Sequence, residues 1–216
     1  MPTDRVSYSF SSWPALIISL LSFAVSLVTS YYALLKPFDM VTTLQPQIQI
    51  QHKTNFGIYL SASFVNKSPS NGTITKTALV IYKESSPDDK YLMNFLAFRV
   101  LDKTGDVYSE SQESLPIFLK PGEIETRTMN FIYDTQKEVF PVSTGTYVCE
   151  LLLWLDAQEK PTYKNQFKFD LSADILQYYL LKRSQGSTTL SPPIQLVGFS
   201  QFTSRKLSPL EYNQLF

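Results

Sequence analysis

From Ala15 to Leu35 the chain reads ALIISLLSFAVSLVTSYYALL, with no charged side chain in the run. At about 1.5 Å rise per residue, a helix of this length spans about 30 Å, the thickness of a bilayer's hydrocarbon core. Trp13 precedes the run, and Tyr31 and Tyr32 stand near its end, where aromatic rings collect at a membrane interface. Lys36-Pro37 then stops the helix, because proline cannot continue it. A cleaved secretory signal has a shorter apolar region of about 7–15 residues, followed by a small-x-small site. Leu34-Leu35-Lys36-Pro37 offers no such site. A core helix of a soluble protein keeps a charged face, and this segment has none. It reads as a retained transmembrane helix, residues 15–35, behind an N-terminal tail, residues 1–14.

The run also carries hydroxyls. At about 100° per residue, Ala15, Ser19, Ser22, Ser26, Thr29, Ser30 and Ala33 fall within an arc of about 100°. Hydroxyls scattered around a helix simply bond the carbonyl one turn back. Gathered on one side, small residues let a second helix approach closely and bond across the contact. The stripe is therefore expected to pack against another membrane protein or a second copy of this chain. Sidedness rests on nearby Lys and Arg, which nearly tie: Arg5 and the amino terminus against Lys36. The balance leans to a cytoplasmic N-terminus, with the rest of the chain outside.

A length of 216 residues suits one globular domain with appendages. Basic and acidic residues number 19 each, which leaves no basic face for nucleic acid. The 15 Phe and 13 Tyr suit a β-rich core. Cys149 is the single cysteine, so no intrachain disulfide forms. Asn66-Lys67-Ser68 and Asn71-Gly72-Thr73 have the form of glycosylation sequons, which matter only in a secretory lumen.

After a juxtamembrane linker, residues 36–43, the dominant period from Leu44 to Leu171 is two. Ile48, Ile50 and His52 alternate with glutamines; Phe56, Ile58, Leu60, Ala62 and Phe64 share one face; Tyr163, Phe167, Phe169 and Leu171 share another. Half-buried strands produce this pattern. Further strands are expected at Thr73–Lys83, Leu92–Leu101, Ser114–Leu119, Ile124–Tyr133 and Thr146–Leu155. Turn signals at 67–72, Ser86-Pro87-Asp88-Asp89, 103–106 and Lys120-Pro121-Gly122 separate them. This spacing predicts a mainly β chain, with residues 44–171 forming a two-sheet antiparallel sandwich.

Residues 172–216 change character. Ser172 is placed to cap a short helix with Asp174 early and Lys182 and Arg183 late, before Gly186. A linker and an apolar tail follow, and docking of that tail on its own domain is the expectation.

The stretch GTYVCELLLWLD resembles the late strand of immunoglobulin-like and fibronectin-like domains, where Gly-x-Tyr opens a strongly apolar strand. That resemblance implies an immunoglobulin-like sandwich with Tyr147 as its tyrosine corner, but without the inter-sheet cysteine pair. The whole layout resembles uncharacterised prokaryotic single-pass membrane-anchored proteins with such a sandwich. It brings no activity with it.

Candidate chemistry is thin. His52 is the single histidine and ends an apolar strand face, so a zinc site or a His-based triad is hard to build. Cys149 shares its face with Tyr147, Leu151, Leu153 and Leu155, which predicts a buried, unreactive thiol. Asp88, Asp89, Asp102, Asp106 and Glu110 sit on loops without an EF-hand spacing. No glycine-rich phosphate loop appears, and no cofactor is expected. Tyr59, Tyr82 and Trp154 are candidates for outward rings that could stack sugars or hold a partner. The expectation is a non-enzymatic accessory subunit of a membrane assembly. The alternative is an anchored module that binds carbohydrate or envelope polymer through those rings.

Overall fold

The computed structural model describes residues 13–52, 55–101, 108–111, 115–133, 139–156, 158–185, 190–197 and 205–206. Helix α1, Trp13–Ser30, continues as one π-helical stretch, Tyr31–Leu35. The amide of Lys36 closes that stretch on the Tyr31 carbonyl at 2.7 Å. Among the described residues eleven strands follow: β1 Met40–His52, β2 Phe56–Asn66, β3 Gly72–Lys83, β4 Ser86–Leu101, β5 Tyr108–Ser111, β6 Ile117–Leu119, β7 Ile124–Ile132, β8 Gly145–Leu155, β9 Tyr163–Leu171, β10 Ile194–Gln195 and β11 Arg205–Lys206. Helix α2, Ala173–Ser184, lies between β9 and β10.

The chain is mainly β and antiparallel, as the period of two predicts. The expected two separate sheets are replaced by one hydrogen-bonded ladder, β10-β1-β2-β7-β4-β3-β8-β9-β11, with β5 on β4 and β6 on β3. The long strand β4 makes it continuous. Its first half pairs with β3 (Leu79↔Met93, Ile81↔Tyr91) and its second half with β7 (Phe98↔Met129, Arg99↔Thr128), around an irregularity at Phe95–Ala97. Bulges bend strands in this way. Alternation cannot distinguish the two layouts, because a strand that bends between halves keeps one face inward throughout.

The ladder nearly closes on itself. Between β1 and β9 the contact runs through side chains: Tyr163 Oη accepts from the Met40 amide at 3.1 Å, and Asn165 Nδ2 donates to the Thr42 carbonyl at 3.4 Å. The segment 190–197 laces one end of this seam. β10 pairs with β1, Leu196 bridges Phe169 of β9, and the Val197 amide bonds the Lys168 carbonyl at 2.8 Å. These residues of the C-terminal tail therefore dock on their own domain, and the remainder of the tail lies outside the described residues.

Inward side chains from both halves form one core around Ile58, Leu60, Phe64, Leu79, Ile81, Phe131, Cys149, Leu151, Phe167 and Phe169. Each such side chain, fully buried, contributes about 1.5–3 kcal/mol. The Ser172 hydroxyl caps α2 through the Ile175 amide, and Asp174 and Lys182–Arg183 take the dipole-favoured ends, as expected. Tyr179 of α2 packs edge-on against Phe56, whose ring stacks on Phe140 at 4.2 Å. This helix closes the end of the barrel opposite α1.

Several boundaries move. β1 opens at Met40, so residues 40–43 of the expected linker are strand. Ser86-Pro87-Asp88-Asp89 belongs to β4, because the turn is made by Glu84 and Ser85 and register resumes at Lys83↔Ser86. Lys120-Pro121-Gly122-Glu123 is a type II turn, closed by the Glu123 amide on the Lys120 carbonyl at 3.0 Å. Gly122 sits at φ +73°, which the third position of that turn requires. The turn carries the chain from β6, on the β3 half, to β7, on the β2 half.

Candidate functional site

The residues that could act fall in three places: α1, the outward faces of the sheet, and the junction between them. α1 with its π-helical end forms one helix, Trp13–Leu34, long and apolar enough to cross a membrane, and none of it is buried against the rest of the chain. Ser19, Ser22, Ser26, Thr29 and Ser30 are all exposed, as are Ala15 and Ala33.

The junction is short and fully tied. The Lys36 carbonyl accepts from the Ser70 hydroxyl at 2.7 Å, and the Asp39 carbonyl accepts from the Lys67 amide at 2.9 Å. The Asp39 carboxylate accepts the Tyr163 hydroxyl at 3.2 Å and stands 3.7 Å from Lys36 Nζ. Phe38 lies over Gly72, where an added Cβ would come within 2.2 Å of the ring. Only a glycine permits that approach. Burial, followed by the nearby Asp39 carboxylate, pushes the Tyr163 hydroxyl up to about 12 against the pull of the Met40 amide bond. α1 is therefore joined to the barrel by a folded segment.

The three expected outward aromatics do not gather, and two are not exposed. Tyr59 is 8 % exposed and Trp154 5 %. The Arg99 guanidinium lies 5.1 Å from the Tyr59 ring centre, Lys76 Nζ 4.7 Å from Trp154, and Lys90 Nζ 5.4 Å from Tyr82. Trp154 also donates its indole N–H to the Glu159 carbonyl at 3.1 Å. A cation over a ring satisfies it electrostatically and removes it from solvent together. Tyr82 stays half-buried and accepts from Gln166 Nε2 at 3.3 Å, with burial and then Glu150 raising its pKa. Tyr82 and Trp154 share the β3–β8 face, whereas Tyr59 stands on β2.

Around Tyr59 the outward face of β1, β2 and β7 forms a groove of about 350 Å³ that sequence reasoning missed. Gln45, Gln47, Gln49, Ser61, Thr128 and Arg99 line it. Its polar groups are already cross-linked: Arg99 Nη1 to Gln49 Oε1 at 2.8 Å, Ser61 Oγ to Thr128 Oγ1 at 2.6 Å, Asn130 Nδ2 to the Tyr59 hydroxyl at 3.2 Å. The alternating glutamines of β1 were the only sequence signal for it. A second cavity of about 490 Å³ lies beside Phe98 and Phe118. There Arg127 and Glu125 pair at 2.6 Å, each about one-third exposed.

Cys149 is buried as expected, and burial, reinforced by Glu150, raises its pKa well above the usual thiol value. Asn66 of the first sequon is 1 % exposed, with its amide committed to the Ser70 and Leu119 carbonyls, so it accepts no glycan. Among the described residues no three His, Cys, Asp or Glu side chains gather as metal ligands. Asp102 and Asp106 lie outside the described residues, as do the side chains of Glu110 and His52. No protein-family model, curated protein or solved structure matches this chain.

Proposed function

We propose that this is a non-enzymatic single-pass membrane protein, an accessory or interaction subunit of a membrane assembly. In this reading α1 is a retained span whose small-residue stripe packs on another membrane helix, and the β domain binds protein. The observation that carries the reading is the tied junction. Residues 36–39 are folded into the barrel, so the helix and the domain are joined without a flexible tether, as a retained span that positions its domain requires.

An immunoglobulin-like domain agrees with the strand order. With β1, β2, β3, β4, β7, β8 and β9 as strands A to G, the ladder runs A-B-E-D then C-F-G, the constant-type arrangement. Tyr147, at the start of the F position, donates its hydroxyl to the Ser143 carbonyl at 2.9 Å and accepts the Ser143 amide at 3.1 Å. A tyrosine corner makes this kind of bond. The departures are the missing cysteine pair and a β4 that serves both halves.

The test is gentle solubilisation of native membranes and affinity purification of the protein beside its Ser22→Leu, Ser26→Leu variant. The expected result is a membrane partner, or a second copy, that is lost from the variant. Equal recovery in both would overturn the role of the stripe. The groove beside Tyr59 favours the alternative, a carbohydrate or envelope-polymer module. That reading expects polysaccharide to be retained by the wild type and lost in a Gln47→Ala, Gln49→Ala variant of the groove; Tyr59 and Trp154 are both covered by their cations.

A further inference from the structure

We infer that the Pro-Gly turn between Phe118 and Ile124 rests on the lipid surface, docking the barrel upright on the membrane; this depends on α1 spanning the bilayer. Four residues separate the helix from β1, and even fully extended they reach only about 14 Å. The structure holds them closer. Lys36 follows the helix directly and is bonded to Ser70; Ser70 and Leu119 both accept from Asn66 Nδ2; the Asn66 carbonyl accepts from the Gly122 amide at 3.1 Å. A chain of hydrogen bonds thus ties the end of the span to the Pro-Gly turn, which is kept near headgroup depth.

At this end the chain exposes what a lipid surface takes up. Phe118 is 51 % exposed and Ile124 64 % exposed, one on each side of the turn, with Lys120 between them. Alternation points Phe118 outward while Ile117 and Leu119 enter the core. An apolar pair flanking a turn is suited to the boundary between headgroups and acyl chains. Charge does not supply the attraction. Within the contact itself Lys36 stands 3.7 Å from Asp39, and Lys120 shares its turn with Glu123. Glu123 is moreover turned back onto the Lys120 amide at 2.6 Å. The contact is therefore apolar and indifferent to lipid charge.

Nitroxide labels on the full chain in vesicles test this, read by collision with oxygen and with a water-soluble nickel chelate. The buried Cys149 stays unlabelled, so Ile124→Cys, Val25→Cys in the span and Ser85→Cys at the far end each report alone. In neutral phosphatidylcholine vesicles the label at 124 should collide with nickel several-fold less often than the label at 85, and Phe118→Ser should raise that rate. Adding anionic phosphatidylglycerol should leave the result unchanged. Nickel access at 124 equal to that at 85, with 25 shielded, overturns the docking while α1 still spans. Shielding at 124 only in anionic vesicles overturns the apolar basis. Nickel access at 25 as well overturns the span itself and the docking with it.

Discussion

Tyr163 shows how one residue joins the elements on either side of it. Its ring is core, while its hydroxyl accepts from the first amide of β1 and donates a hydrogen bond to the Asp39 carboxylate at the helix junction. The folded protein keeps that proton up to about 12, against about 10 for an exposed phenol. Between those values the unfolded chain has lost the proton while the folded chain retains it, so stability falls as pH rises from about 10 and levels above the folded value. Cys149 acts with the same sign from a lower pH. Thermal melts from pH 8 to 12 should show this fall, and Tyr163→Phe should make it shallower above pH 10. Parallel curves would contradict the assignment. At this scale the buried Cys149 was legible, because the face it shares with Tyr147, Leu151, Leu153 and Leu155 is apolar. The burial of Tyr59 and Trp154 was not, since Lys76 lies opposite Trp154 on the adjacent strand and Arg99 reaches Tyr59 from β4 across β7, positions only the register reveals.

Among the elements, four strands were read nearly to their ends: β3, β7, β8 and β9 lie within a residue or so of their expected bounds. α2 was equally clear because its cap and its charges agree with its dipole. β4 was read late because Pro87 and two aspartates look like a turn, although a two-residue turn at Glu84–Ser85 already reverses the chain. β1 was read late because the inward Thr42 is polar while Val41, on the other face, is apolar, which hides the alternation. The lacing segment 190–197 was the least legible, since a two-residue strand carries no period. Its importance shows in contacts: Ser191 Oγ accepts the Ile50 amide at 2.8 Å, and Ile194 and Leu196 are buried. Leu196→Ala should cost about 2–5 kcal/mol in urea unfolding. It should also speed amide exchange at Val197 and in β9 more than in β3. A uniform effect across both strands would show that the segment does not hold the seam.

The molecule as a whole is a barrel-like domain carried on a bare apolar helix, with no slack between them. Its layout was legible because an uncharged run of bilayer length and an alternating run differ sharply in period. Closure into one ladder was not, because continuity depends on where β4 bends rather than on what faces inward. The rigid junction was also hidden: Phe38, Asp39 and Gly72 carry no local signal and acquire meaning only once β1, β3 and β9 meet. Retention of α1 is the claim on which anchoring, helix pairing and lipid docking all depend. Intact mass spectrometry of the protein from carbonate-washed native membranes tests it most directly. The account predicts a mature chain in the membrane pellet that still contains residues 13–35. A species beginning after Leu35 and released into the wash would contradict it.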